Sequence, residues 1–359
     1  MTKKILIVNP FGIGDVIFST PLVEVLKKHF PNSYIAYICN RRALRLIETN
    51  PSLSKIFVYE KDEYRSVLKH SKIDGAKKIL AFLKEIRRER FDVSIDLSLG
   101  YKHSMILKLI GIKKRVGFNY RHRGKFLTDK LDIESFDNKH VVDYYLCLAK
   151  LLGIDTESKF EPRIFASTAS ETAGNKFLKE AGLSENELLI GMLPGCGASW
   201  GADAKRRRWG IEKFARLADL LIEKHGARII LLGDAKEIDV ASGVQNLMKN
   251  KAVNYCGKTS LGDLIGIMTK CKLIITNEGG PLHMAVALGV KTVSLFGPVD
   301  ERTYGPYSSS GDHAVVSRKD LNCRPCYKKF KYNDCETRTC LASISVDEVF
   351  TAAEEALKK

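Results

Sequence analysis

Short runs of branched and apolar residues alternate along the chain with longer stretches whose apolar residues recur every three or four positions. KILIVN (4–9), YIAYIC (34–39), KIFVY (55–59) and DVSIDLS (92–98) predict strands. PLVEVLKKHF (21–30), RALRLIETN (42–50), AKKILAFLKEIRRER (76–90) and HVVDYYLCLAKLLG (140–153) predict helices. In the third of these, Ile79, Phe82, Leu83 and Ile86 line one face and charges occupy the other. The alternation then restarts. ELLIGMLPG (187–195), ARIILLGD (227–234), KLIITNEGG (272–280) and KTVSLFGP (291–298) predict strands, and GIEKFARLADLLIEKHG (210–226) predicts a helix closed by glycine. Such alternation predicts an α/β fold: two successive Rossmann-like, doubly wound domains facing a central cleft. The junction is expected within FEPRIFASTAS (160–170), which gives domains of 1–165 and 166–345 and a terminal helix over 346–359.

A length of 359 residues exceeds what one hydrophobic core usually serves, in keeping with two domains. No apolar run approaches the roughly 18 residues of a membrane helix. MTKKILIVN has five apolar residues before Asn9-Pro10, too few for the core of a secretory signal, so a cytoplasmic location is expected. The net charge of +16 favours polyanionic partners, namely nucleotides, nucleic acid or an anionic membrane surface. The excess clusters in KKRVGFNYRHRGK (113–125) and KRRR (205–208). No nucleic-acid-binding motif accompanies it.

Two glycine turns carry candidate chemistry. In NPFGIGDVIFSTP (9–21), Gly12 and Gly14 fit the start of a dinucleotide fingerprint, but Ile17 stands at the third glycine. Asp15 argues further against phosphate there, since a carboxylate competes with it for the helix amides. Asp15 is then either a helix N-cap or an oriented base, its ionised form stabilised by the helix N-terminus. In TNEGGPLHMAVALG (276–289), Gly279 and Gly280 permit close backbone approach and Pro281 suits the first helical turn. That is an anion cradle, with Glu278 placed to reach neighbouring hydroxyls and His283 one turn in, as a ligand contact or a satisfied core imidazole. PGCGASWGADAKRRRW (194–209) offers glycines, Ser199 and a basic run, either a solvated face or a mobile loop closing on a diphosphate. Glu237, after the strand ending in GDAKE, is either a ribose acceptor or an exposed helix-start acid.

Taken in order, NPFGIGDVIFSTPLVEVLKKHFP, LPGCGAS…KRRRW, LLGDAKE, TNEGGPLHMAVALG and VSLFGPVDERTYGPY resemble glycosyltransferase family 9, the ADP-heptose:lipopolysaccharide heptosyltransferase family, over nearly the whole chain. The resemblance implies a GT-B fold, with acceptor bound mainly by the first domain and nucleotide-sugar by the second. It implies that the C-terminal helix packs back on the first domain. It implies an inverting, metal-independent transfer of heptose from ADP-heptose to an inner-core or lipid A precursor acceptor. Asp15 matches the general base. Arg207 matches a phosphate-contacting position, assisted by Ser199, Gly279 and Gly280; Glu237 matches a ribose acid and Glu278 a sugar-contacting acid, usually Asp. Gly279 replaces a common Thr or Ser. Gly12, Gly14, Arg115, Arg121 and Arg123 fall on the acceptor side. The segment RVGFNYRHRGK would suit an anionic acceptor at the inner membrane face.

Four cysteines in CRPCYKKFKYNDCETRTC, at Cys323, Cys326, Cys335 and Cys340, are spaced for a structural zinc or iron ion or form a compact loop of reduced thiols. No catalytic cofactor is implied. The readings that compete with a heptosyltransferase are a transferase using another nucleotide sugar or a protein acceptor, a nicotinamide oxidoreductase, and a nucleotide- or polyanion-binding protein without turnover.

Overall fold

The computed structural model describes residues 2–156, 160–197, 204–333, 335 and 337–358. The chain divides into two compact units, residues 1–136 with 141–160, and 137–140 with 161–359. In the first, strands β1 (Lys4–Val8), β2 (Tyr34–Cys39), β3 (Lys55–Val58), β4 (Val93–Asp96), β5 (Lys114–Tyr120) and β6 (Asp129–Ile133) form one sheet in the order β3-β2-β1-β4-β5-β6. Every pairing in it is parallel. The central strands are apolar on both faces, as strands covered by helices on two sides must be.

The second unit repeats this arrangement. Its strands are β7 (Leu189–Leu193), β8 (Arg228–Leu231), β9 (Val253–Asn254), β10 (Leu273–Asn277), β11 (Thr292–Phe296) and β12 (His313–Ser317), in the order β12-β11-β10-β7-β8-β9. Counted from the first strand of each unit, the two orders are the same, 3-2-1-4-5-6. The order reverses between β1 and β4 and between β7 and β10, and in open parallel sheets ligands bind at the carboxyl ends of the strands at such a reversal. The loop 9–12 leaves β1, and the glycines 279 and 280 follow β10, so both glycine turns sit at reversal points.

The terminal helix departs from expectation. Val346–Lys358 was expected to cover the first domain, but Val349, Ala353 and Ala356 are core residues of the second unit, packed with Trp209, Phe214 and Leu341. The apolar face of this helix matches the open face of β10–β12 within its own unit. Trp209 Nε1 donates to Ile344 O at 3.1 Å, and Arg318 pairs with Glu348 at 2.6 Å, so the approach to the helix is tied down on both sides. A short antiparallel hairpin, β13 (Tyr327–Lys328) with β14 (Lys331–Tyr332), lies within the cysteine-rich segment. Among the described residues, no helix is long and apolar enough to cross a membrane.

Candidate active site

In the first unit the turn after β1 enters the helix Ile13–Phe18, with Gly12 as the N-cap and no side-chain cap. Asp15 is therefore the third residue of the helix, which removes the N-cap reading. Its Oδ1 accepts from Tyr145 Oη at 3.4 Å, and Asn9 Nδ2 donates to the Asp15 carbonyl at 3.0 Å. The carboxyl pKa is pushed up to about 6 by burial, opposed by the Tyr145 bond and by backbone amides of Asp15 and Gly12. A helix N-terminus was expected to favour the ionised form. Its effect of roughly 0.3–1 kcal/mol is outweighed by burial, which leaves a net shift worth about 3 kcal/mol. The outcome is a carboxylate still ionised at neutral pH but basic enough to take a proton.

A second carboxylate shares this end of the sheet. Asp96 closes β4, level with Val8 of β1, and is buried. Its Oδ1 accepts from Ser98 N at 3.0 Å, and burial raises its pKa to about 7 against bonds from Ser98 and the Ser104 amide. A raised carboxyl pKa stabilises the fold fully below the unfolded value near 4 and loses that contribution as pH rises through about 7. Asp96→Asn should therefore raise the melting temperature at pH 8, with up to about 4 kcal/mol available, and the gain should shrink as pH falls toward 4. A gain independent of pH in thermal scans would refute this account.

Of the expected acceptor residues, Gly12 and Gly14 flank Asp15's turn. Arg121 and Arg123 follow the carboxyl end of β5, exposed, with guanidinium groups 5.0 and 5.6 Å from the Tyr120 ring. Arg115 does not join them. It is the second residue of β5, near the opposite end of the sheet, and its guanidinium is spent on the carbonyls of Phe126 at 2.7 Å and Lys113 at 2.9 Å.

In the second unit the helix Gly280–Ala287 starts behind Gly279 as N-cap. A Cβ on Gly279 would lie 2.3 Å from Cys196 O, so the loops after β7 and β10 touch backbone to backbone and a Thr or Ser cannot fit without moving one of them. Asn277, ending β10, holds the junction: its Nδ2 donates to the carbonyls of Pro194 and Gly195 at 2.8 Å each, and its Oδ1 accepts from Trp209 N at 2.9 Å. Glu237 Oε1 accepts from the amides of Cys196 at 2.8 Å and Gly197 at 2.9 Å. The Glu237 carboxylate is buried and fixes the loop after β7, so the exposed-acid reading does not hold.

Arg207 and Glu278 form a buried ion pair, with exposures of 2% and 4%. Arg208 lies 3.9 Å from Glu237, the Arg206 guanidinium donates to Asn333 O, and Arg338 donates to Lys205 O. Arg206, Arg207 and Arg208 are thus tied into the unit, which does not fit the reading of the run as a solvated face. Ser199 lies outside the described residues. His283 is buried one turn into the helix, its pKa pushed down to about 3 by burial and by the charges of His140 and Arg207. The imidazole is neutral at physiological pH and supplies hydrogen bonding, not charge.

The cysteine-rich segment is clipped beside β11. Arg324 donates to Gly297 O at 2.6 Å and pairs with Glu301 at 2.8 Å, and the amides of Cys326 and Tyr327 both donate to Pro298 O at 3.0 Å. Of the two alternatives for the four cysteines, the metal gains no support: among the described residues no three His, Cys, Asp or Glu side chains are grouped to hold an ion. The thiols are nonetheless neighbours: Cys326 feels the charges of Cys335 and Cys323, and Cys340 those of Cys326 and Cys335, with Cys340 buried beside Leu341 and Cys323 exposed.

Sequence reasoning did not single out Tyr145, Asp96 and Asn277. Asp96 and Asn277 carried one signal, a polar residue closing an apolar strand. Tyr145 carried none, 130 positions from the carboxylate it bonds.

A model of glycosyltransferase family 9 (heptosyltransferase) matches residues 79–336. Lipooligosaccharide heptosyltransferase 2 of Campylobacter jejuni is 25% identical over 361 residues, spanning 99% of this chain and 98% of that one. The solved structure of a family 9 glycosyl transferase from Veillonella parvula superposes with a TM-score of 0.81 at 27% identity, covering 99% of this chain and 97% of that one. The structure of Escherichia coli ADP-heptose lps heptosyltransferase II gives a TM-score of 0.76 at 22% identity, covering 99% and 98%. The fold is accordingly GT-B, built on two parallel six-stranded sheets.

Proposed function

The chain belongs to glycosyltransferase family 9, the heptosyltransferases, and from that premise we propose that it moves a heptose from ADP-heptose to an inner-core acceptor of lipopolysaccharide or lipooligosaccharide. Asp15 is the observation that carries the reading: a carboxylate with a pKa of about 6 at the point where the first sheet reverses its strand order. It takes the proton of the acceptor hydroxyl as that oxygen attacks the anomeric carbon of the sugar. The bond from that carbon to the diphosphate breaks, ADP leaves, and the configuration inverts from β to α. The first unit binds the acceptor through Gly12, Gly14, Arg121 and Arg123. The second binds the donor.

Charge develops on the departing diphosphate. Arg207 and the amides of Gly279 and Gly280 meet it, with Ser199 assisting, and no metal ion takes part in the reaction. Glu278 orients Arg207 and contacts the sugar; Glu237 holds the loop after β7 and contacts the ribose; His283 donates or accepts a hydrogen bond. The names of the relatives support the donor and the acceptor class.

The test is a transfer assay across a panel of nucleotide sugars with purified protein and a core-lipid acceptor. ADP-heptose is expected to give the highest kcat/KM, with the α-anomer as product in NMR spectra. Preference for another nucleotide sugar, or transfer to a protein, overturns the substrate assignment. Retention of configuration overturns the mechanism.

A further inference from the structure

We propose that the hairpin of helices Lys61–His70 and Lys72–Arg88 docks the first unit on an anionic lipid bilayer. The proposal deepens the reading of a lipid-borne acceptor and rests on it for purpose alone, because the docking is a physical property of the surface.

The longer helix has two apolar sides. Gly75 and Ile86 face inward, and Phe82 packs against Phe57 and Tyr59 beneath the hairpin. On the opposite side Ile73, Lys77, Leu80 and Lys84 recur at spacings of four, three and four, which places them on one outward stripe. Ile73 is 69% exposed and Leu80 55% exposed, although both are large aliphatic residues. Leu68 of the shorter helix packs on the inner side instead: a Cβ on Gly75 would lie 2.5 Å from Leu68 Cδ2, so the helices meet closely along that seam and leave Ile73 and Leu80 as the outward patch. Nothing in the first unit covers this patch among the described residues.

The charge around the patch selects its partner. Residues 61–88 hold nine Lys and Arg against four Asp and Glu. Glu63 is already paired with Lys78, and Glu85 with Lys55 at 3.0 Å, so the acidic side chains are largely engaged while Lys69, Lys72, Lys77 and Lys84 remain exposed around the aliphatic groups. Aliphatic side chains ringed by lysines suit an interface where the former enter the acyl boundary and the latter meet anionic headgroups. A second copy of this chain would bring the same positive charge against itself. The shorter helix also begins directly after β3, at the carboxyl end of the sheet, which is the end that carries Asp15. Docking there sets the acceptor side of the first unit against the surface that holds a lipid-anchored sugar.

The experiment is vesicle sedimentation of the full-length protein, with phosphatidylglycerol-containing vesicles against pure phosphatidylcholine, in the absence of donor and acceptor. Wild type is expected to bind the anionic vesicles, to bind the neutral ones poorly, and to dissociate as salt is raised. Ile73→Ser/Leu80→Ser and, separately, Lys72→Gln/Lys77→Gln/Lys84→Gln should each weaken binding by about tenfold or more. Both variants should keep the wild-type melting temperature and turnover on a delipidated acceptor. Failure of wild type to bind anionic vesicles, or undiminished binding by both folded variants, overturns the proposal. So does a change in oligomeric mass with unchanged vesicle binding, which assigns the patch to contacts between copies. Since no donor is present, a failed donor assignment leaves this result readable.

Discussion

Asp15→Ala is expected to lower kcat by about a thousandfold while leaving the dissociation constant for the nucleotide-sugar unchanged. The variant removes the group that accepts the hydroxyl proton, and Asp15 lies in the first unit, whereas the donor groups belong to the second. The pH dependence follows from the same carboxyl. With its pKa near 6, activity should fall on the acid side as Asp15 gains a proton, and should level off above about pH 7. Tyr145 sharpens the test. Its hydroxyl donates to the carboxylate and so lowers the pKa, and Tyr145→Phe should move the acid limb to higher pH without abolishing turnover. Stopped-assay rates from pH 5 to 9 on both variants decide the matter. Substantial turnover by Asp15→Ala, or an acid limb that stays in place without the Tyr145 hydroxyl, would remove Asp15 from its role.

The second large effect is on stability. Glu278→Ala should destabilise the second unit by about 3–5 kcal/mol, because Arg207 is left as a buried charge without its carboxylate. Adding Arg207→Met should recover most of that loss, since an apolar pair of similar volume needs no compensation. Transfer should not recover, because the diphosphate still lacks its cation. Chemical denaturation of the single and double variants, with donor titration by calorimetry, separates the two effects. If the double variant is no more stable than Glu278→Ala, the ion pair is not what holds these loops together.

The turn after β1 was legible because everything it needs is local: an apolar strand, two glycines, an acid and an amphipathic helix within 30 residues. The anion cradle after β10 was legible for the same reason. β5 was not. Its sequence KRVGFNY carries two basic residues, a glycine and an asparagine, so its hydrophobic signal is weak, yet β4 and β6 flank it on both sides. Reading that stretch as a basic cluster also grouped Arg115 with Arg121 and Arg123. A strand rises about 3.3 Å per residue, so six residues set Arg115 roughly 20 Å from Arg121. The helix Leu261–Met268 was hidden by its apolar composition, LGDLIGIM, which reads as a buried strand; its Ser260–Asp263 capping box decides otherwise. Arg207 was legible as a cation but not as a buried one, because Glu278 is 71 positions away and no spacing rule connects them.

Core closure by the helix Val346–Lys358 has a consequence for how the protein is made. Synthesis is vectorial, and β7 emerges from the ribosome long before Ala356 is added. The helix Ile211–His225 covers part of that face early, but at roughly 5–20 residues per second the part over β10–β12 waits several seconds uncovered. The first unit is already complete by then, since none of its residues lies beyond 160. The nascent chain therefore passes through a state with one finished domain and one sticky, partly uncovered sheet, and that interval is where a holdase chaperone would find its client.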